Sequence, residues 1–527
     1  MAGAATAVGG GGSRAASSSG TNPDGTFSGL KLALAGFVLA MANFVVVLDT
    51  TIANVSVPHI SGGLAVSTSS GTWVITSYSV AEAICVPLTG WLAGRFGVVR
   101  VFLCALVGFG VFSALCGLAT SLPMLVAFRL GQGFSGGPLM PLSQTLLLRI
   151  FPKAQHPKAM SMWAMTVVVA PIAGPILGGY ISDNWSWNWI FYINVPIVAA
   201  VFFALLVLLK DVKTPLRKLP IDVVGLALLV IWIAAFQMML DLGHDRDWFN
   251  STFICALAVI AAIFFCAFVI WELTESHPVV DLAVFRHRGF TAATFALSLA
   301  FGTYFASVVV IPQWLQASMG YTATLAGEAM APSGVLAVFM SPFVPALMKR
   351  FDARVLVFVG ITWLAICAAI RAFIWSGDST FMQIAMPQLI QGWGVSLFIV
   401  PLTTISLASV RPEETASAAG IANFARTLAG AIGTSIITTM WDDMGRVDNA
   451  QLTGTLNNQQ RTFDMLQSHG MSMEAARDSL AQLVETQATA VGTVHLFAIS
   501  GVALMVAACT IWLAPRPSKA TKPASGH

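Results

Sequence analysis

Leu48–Pro58, LDTTIANVSVP, lies in the outer part of an apolar run that begins near Leu30. A run of that length is long enough to cross a bilayer as a helix, so Asp49 falls inside a membrane segment. A carboxylate there costs roughly 2.5–3.5 kcal/mol on insertion scales unless it faces a protein interior or a water-filled cavity. Asp49 is therefore a candidate functional residue; the plainer reading is an aspartate near the end of the span that reaches interfacial water.

The composition extends this reading to the whole chain. Of 527 residues, 56% are hydrophobic and only 10% charged, against about 25% charged in an ordinary soluble domain. This is the profile of an integral membrane protein. The formal net charge of +3 is too small to suggest a nucleic-acid partner. All seven cysteines lie in apolar runs without CxxC or Cys/His spacing, so they read as small buried hydrophobes rather than metal ligands. Gly131-Gln-Gly-Phe-Ser-Gly136 matches GxGxxG, but it follows no strand and lies in a span, which excludes a dinucleotide site. No GxxxxGK[ST], HExxH or GxSxG constellation is present. No enzyme activity, metal or cofactor is expected, and no ATP-binding loop is present.

Apolar runs of about 17–25 residues bounded by charge, Pro/Gly or Trp predict fourteen helices. Their limits are near 30–57, 73–93, 99–119, 122–148, 159–182, 189–209, 223–240, 252–271, 289–311, 323–348, 354–375, 382–408, 415–440 and 491–514. The positive charges between them are asymmetric. Arg95, Arg100, Arg149, Lys153, Lys210, Arg286, Lys349, Arg350 and Arg411 fall on the side of both termini, whereas Arg246, Arg446, Arg461 and Arg477 fall on the other. Both termini are therefore expected in the cytoplasm. Trp73, Trp91, Trp185, Trp248, Trp314, Trp375 and Trp441 sit near span ends, as an interfacial aromatic belt requires.

The two halves repeat. Gln132-Gly133 in the fourth span pairs with Gln391-Gly392 in the twelfth, Pro141-Leu142 with Pro401-Leu402, and Arg95-Phe96 with Arg350-Phe351. Each match is eight spans apart in the same orientation. The expected plan is an all-α membrane protein of two parallel six-helix bundles, 30–209 and 289–514, separated by two inserted helices with cytoplasmic linkers over 210–288. Residues 1–29 and 515–527 are expected as cytoplasmic tails, the first disordered. Parallel six-helix repeats around a midplane site are a transporter architecture.

Four stretches carry a resemblance. LDTTIANVSVP, GWLAGRFGVVR (Gly90–Arg100), RLGQG (Arg129–Gly133) and APIAGPILGG (Ala170–Gly179) resemble the motifs of the fourteen-span drug:proton antiporters of the major facilitator superfamily, over about Leu30 to Pro515. The resemblance implies the major facilitator fold and implies that APIAGPILGG is the antiporter motif. One departure stands out: Gly94 occupies the position where the loop motif usually carries an aspartate, so a charge relay through that aspartate is in doubt. Arg95 and Arg100 remain, readable either as gating residues acting on helix ends or as topogenic positive charges. Pro171, Gly174, Pro175, Gly178 and Gly179 also have a local reading. The prolines free backbone carbonyls and bend the helix, and the glycines permit close helix contact, which suits a rocking gate or simple tight packing.

The charges inside spans define the expected site. At 1.5 Å per residue, Asp49, Glu82 and Arg129 lie at depths of about 12, 13 and 10 Å from the outer ends. A buried arginine beside two carboxylates lets one acid ionise while the other takes a proton, so these three are the candidate proton-coupling residues. Glu82, Glu328, Asn54, Gln132 and Arg426 are candidate substrate contacts. Arg371, about one turn from a helix end, is expected to snorkel; Arg426 reads equally as structural, bonded to a carbonyl or to Asn423.

The family resemblance implies proton-driven export of lipophilic drugs across the inner membrane, with a periplasmic membrane-fusion adaptor and an outer-membrane channel as partners. Export of one endogenous metabolite is the competing reading. The segment 441–490 is expected as a long polar periplasmic loop. Within it, 471–487 is expected to form a short amphipathic helix, with Ala475, Leu480, Leu483 and Val484 near one stripe.

Overall fold

The computed structural model describes residues 27, 29–212, 216, 220–455, 459–468 and 471–515. The tails 1–26 and 516–527 and the linker residues Lys213, Arg217 and Lys218 lie outside the described residues. Among the described residues the chain is helical throughout, with no strand. In chain order the main helices are α1 (Gly29–Gly63), α2 (Trp73–Phe96), α3 (Val98–Gly117), α4 (Leu122–Gly136, resuming as Leu139–Ile150), α5 (His156–Asn184) and α6 (Trp189–Tyr192, resuming as Asn194–Leu208). Next come α7 (Val223–Gly243) and α8 (Thr252–Thr274). The set closes with α9 (Arg288–Ser318), α10 (Ala323–Met340, continued by a tight turn to Val344–Arg350), α11 (Ala353–Ile374), α12 (Phe381–Ala408), α13 (Thr415–Thr455) and α14 (Met473–Thr510).

Eleven helices are long and apolar enough to cross a membrane by length and composition. The ones that fall short are α2, α4 and α13, for a physical reason visible in their residues. Helix α4 is broken at Gly137-Pro138 into two short pieces. Helices α2 and α13 carry Thr76, Ser77 and Glu82, and Ser417, Asn423 and Arg426, on faces that meet other helices rather than lipid.

Close packing follows the sequence repeat. α1 packs on α5 as α9 packs on α13; α2 on α4 as α10 on α12; α3 on α6 as α11 on α14. Apolar surface gains little by leaving lipid, so such contacts depend on small residues that let backbones approach. A side chain on Gly133 would strike the Tyr78 carbonyl, and one on its repeat partner Gly392 would strike the Ser333 carbonyl. Gly174 lies against Thr51 and Gly178 against the Ile52 backbone, while Gly433 lies against Gly302. The antiporter-motif glycines thus seat α5 on α1 within its own half, with Pro171 and Pro175 accommodated inside an unbroken helix. The other face of α5 meets the opposite half, Ile172 against Gly334 and Ile176 against Gly327 of α10.

The halves meet along two symmetry-related seams, α5 with α10 and α2 with α13. At the end carrying the termini, Ser161 Oγ donates to the Ser341 carbonyl at 2.6 Å, and Gly90 abuts Ser417. The inserted helices α7 and α8 pair with each other, and α7 lies along α2 and α13. Their linkers tie into both halves: Trp91 Nε1 donates to the Pro220 carbonyl at 3.2 Å, and Arg286 and His287 both bind Glu414. Partial burial acts to raise the Glu414 carboxyl, but the His287 hydrogen bond, the Arg411 backbone N–H and the charges of Arg286 and His287 outweigh it and hold the group below its ordinary range.

Two expectations are corrected. Residues 441–490 are not a loop: α13 runs unbroken to Thr455, a further helix covers Gln459–Ser468, and α14 starts at Met473 and continues to Thr510. The amphipathic segment is the first turns of that long helix, not a separate element, because nothing between Met473 and Thr510 breaks helical geometry; the chain has no proline there. Its inward stripe is Ala476, Val484 and Ala488, while Leu483 is 60% exposed.

The glycine contacts carry a prediction. Gly392→Val forces a side chain into the Ser333 backbone, and overpacking of this kind costs about 1–3 kcal/mol. Its apparent melting temperature in detergent should fall, whereas Gly445→Ala, at a helical position with open space around it, should leave the temperature unchanged or higher.

Candidate functional site: a buried ion pair and a cavity between the halves

Five of the first six helices converge on Asp49, which is 1% exposed. Arg129 Nη1 donates to Asp49 Oδ2 at 2.6 Å, and the Gln132 and Asn194 side-chain amides donate to Oδ1 at 2.9 and 2.6 Å. The helical spacing of α4 sets Arg129 and Gln132 three residues apart on one face, so both reach the same carboxylate. Arg129 is fully buried. Its Nε donates to the Val74 carbonyl at 3.1 Å, Nη1 also reaches Gln132 Oε1 at 3.0 Å, and the guanidinium stacks 4.2 Å from the Tyr78 ring centre. Asn194 in turn is steadied by Ser113, whose hydroxyl donates to the Phe191 carbonyl at 2.9 Å.

Two opposite charges out of water are tolerable only when paired and hydrogen-bonded. Here the pair is neutral overall and the carboxylate accepts three donors. One arginine nitrogen, Nη2, remains buried without a partner. If Asp49 takes a proton, Arg129 becomes an uncompensated buried cation, so protonation must be accompanied by water entry or by movement of Arg129.

The expected trio divides. Asp49 and Arg129 are in contact, but Glu82 is outside this hydrogen-bonded cluster. Half-buried on α2, it makes no hydrogen bond or ion pair among the described residues. Gln132, expected as a substrate contact, belongs to the Asp49 cluster. Asn54 and Glu328 are exposed and join neither group. Asn194, Tyr78 and Ser113 were not anticipated; the one available signal was an asparagine inside the apolar run INVPIV.

A second polar group lies between the halves. Asn423 Nδ2 donates to Gln144 Oε1 at 2.7 Å, and Arg426 Nη2 approaches Met140 Sδ at 3.0 Å and Asn423 Oδ1 at 3.4 Å. The Arg426 guanidinium stacks over Phe301 at 4.7 Å, and its Nε and the Trp163 Nε1 are buried without partners. Gln144, Trp163, Thr403, Ser406, Asn423 and Arg426 border a void of about 10 Å³, room for no more than one water.

The second half contains a counterpart of the Asp49 cluster without its acid. Arg371 does not snorkel: it is 2% exposed and donates to Gln388 and Gln391, the latter being the repeat partner of Gln132. Trp375 and Phe497 flank it, each 5.5 Å away. No carboxylate bonds to it among the described residues. The amides reach it because Arg371 points along α12 into the bundle, where the aromatic rings leave no path to the surface.

A family model for the Major Facilitator Superfamily matches residues 39–434. The chain belongs to the major facilitator superfamily. Within it, the chain is 45% identical over 493 residues to the multidrug export protein EmrB of Escherichia coli (strain K12), covering 93% of this chain and 96% of that protein. It is 41% identical over 493 residues to the fatty acid resistance protein FarB of Neisseria gonorrhoeae, covering 93% and 97%. Among solved structures, the proton:xylose symporter XylE superposes with a TM-score of 0.58 at 15% identity, covering 92% of this chain and 96% of that one. The human organic anion transporter MFSD10 gives 0.54 at 14%, covering 90% and 98%. At those identities the two structures speak for the fold alone. The superfamily and the EmrB relatives make this a membrane transport protein of the major facilitator superfamily.

The ion pair predicts a non-additive stability pattern. Arg129→Met leaves Asp49 buried without its partner and should cost about 3–5 kcal/mol, whereas replacing both residues with apolar ones should recover much of that loss. Apparent melting temperatures of the two single variants and the double variant in detergent measure the coupling; additive losses would contradict it.

Proposed function

We propose that this protein is a proton-coupled antiporter that exports lipophilic drugs or toxic compounds from the cytoplasm across the inner membrane. The observation that carries the reading is the Asp49–Arg129 pair, a fully buried carboxylate bonded to a cation that no other carboxylate contacts among the described residues. In the proposed cycle a proton from outside neutralises Asp49, Arg129 loses its ionic partner, and the bundles rock until the proton leaves to the cytoplasm. Substrate travels outward in the same cycle. Glu82 and Arg426, on opposite sides of the α2–α13 seam, act on substrate, with Glu82 favouring cations. One proton exchanged for a neutral drug moves one charge inward, so 100 mV of membrane potential adds about 2.3 kcal/mol to the driving force.

The architecture proposed with it has fourteen spans, both termini cytoplasmic, bundles over 30–209 and 289–514, and α7–α8 as an insertion over 210–288. Arg95 and Arg100 at the termini end and the Pro171–Gly179 segment of α5 serve gating. The helical hairpin formed by the ends of α13 and α14 is proposed to meet a periplasmic membrane-fusion adaptor that leads to an outer-membrane channel. The similarity to EmrB supports drugs as substrates; the nearly equal similarity to FarB, named for fatty acid resistance, favours as second reading a dedicated exporter of one lipophilic metabolite.

In proteoliposomes with an imposed pH gradient, Asp49→Asn keeps the shape of the side chain and one acceptor oxygen but cannot titrate. It should abolish uphill export while substrate binding stays measurable; concentrative, pH-coupled export by this variant would overturn the proposed role. Glu82→Gln should impair cationic drugs selectively and spare neutral and acidic ones. A reporter inserted near Asn457 should be extracytoplasmic and one fused after Arg516 cytoplasmic.

A further inference from the structure

A groove of about 540 Å³ opens on the outer surface of the first bundle, between α2, α3 and α4, near the end that carries the termini. The break at Gly137-Pro138 that divides α4 lies at its floor, with Pro138 and Ser135 lining it. Its walls include Leu92, Phe96, Val101, Cys104 and Phe134. Phe96 and Phe134 are 48% and 45% exposed, and Val107 and Val111 continue the exposed stripe of α3 that begins at Cys104. Such an apolar, exposed helix face belongs against lipid.

Two arginines, Arg95 and Arg100, stand at the mouth, and no acidic side chain lines the groove. Arg100 is exposed and has no hydrogen-bond or ion-pair partner among the described residues. Arg95 stacks on Trp91 and Phe96, 5.5 and 5.8 Å from the ring centres, which aims its cation along the rim. Cys85 lines the other end, and the eleven helical steps from it to Phe96 amount to about 16 Å of axial length. That is the reach of a headgroup and the first part of an acyl chain.

We infer that this groove is a binding site for an anionic phospholipid, its phosphate held by Arg95 and Arg100 and its chain laid along Phe96, Cys104 and Phe134. Basic pockets between membrane helices at the cytoplasmic face recognise anionic headgroups through the same chemistry. The inference rests on the membrane reading of these helices and not on proton coupling, so a failure of the antiport assignment leaves it standing. A lipid seated there lies against the break in α4 and touches α2 and α3 as well.

The wild-type chain tests the site directly, because three exposed cysteines report on different helices: Cys104 lines the groove, while Cys266 and Cys509 lie on α8 and α14. In nanodiscs of phosphatidylglycerol, maleimide modification of Cys104 should slow several-fold relative to nanodiscs of phosphatidylcholine, beyond any common change at Cys266 and Cys509, as read by peptide mass spectrometry. In parallel, detergent-solubilised protein should retain phosphatidylglycerol roughly tenfold more tightly than phosphatidylcholine of the same chains, as measured by native mass spectrometry at low salt. Arg95→Gln with Arg100→Gln should remove that preference, and Arg95→Lys with Arg100→Lys should keep most of it. Equal protection of all three cysteines, or no lipid preference in the wild type, would overturn the inference whether or not the variants fold. Retention of free inorganic phosphate at the same site without lipid selectivity would equally reject it.

Discussion

A carboxylate buried in a membrane bundle has to be answered, and the packing of the first bundle is arranged around that answer. Arg129 supplies the charge, Gln132 and Asn194 supply the remaining donors, and Val74 and Tyr78 occupy the other side of the guanidinium. Each ion alone costs several kcal/mol to desolvate. Together they are stable only while α1, α2, α4 and α6 keep their mutual positions. Chemistry at Asp49 and geometry of the bundle are thereby the same variable, which is what coupling a proton to a conformational change requires.

The repeat explains why the device exists once. The two halves share their helix contacts down to the glycines that meet a carbonyl, Gly133 with Tyr78 and Gly392 with Ser333. They do not share their charges. In the second half an arginine from α11 binds the amides of Gln388 and Gln391, with aromatic rings where the first half has an acid. Backbone approach is set by small residues and survives divergence; the titratable group does not follow from the fold and occurs in one half only. The seam between the halves is polar in a different way, through Gln144, Asn423 and Arg426, which belong to helices that move relative to each other if the bundles rock.

Helix existence was legible because it is a local property. Long apolar runs, their Trp flanks and their positive charges delimit spans one at a time. Ends were less so: α1 runs on to Gly63, and α13 and α14 run far past the apolar runs that predicted them. Hydropathy stops reporting where a helix leaves lipid, while the backbone hydrogen bonds continue. Arg371 shows the same limit. One turn from a helix end, its depth permitted snorkelling, and only the neighbours, Gln388, Gln391, Trp375 and Phe497, turned it inward.

From the sequence alone came the membrane class, the repeat, the family motifs and the candidacy of Asp49 and Arg129. These rest on composition, periodicity and the cost of charge in hydrocarbon, none of which needs a partner to be identified. Which acid meets which base was decided by tertiary structure. Asp49, Glu82 and Arg129 lie at similar depths, yet depth is one coordinate and contact needs three. Tyr78 and Glu82 share a face of α2 one turn apart, about 6 Å along the axis, so Tyr78 meets Arg129 while Glu82 stays outside the hydrogen-bonded cluster. Asn194 completes the cluster because α6 packs on α1 and α3, a relation between segments far apart in the chain that no local pattern encodes.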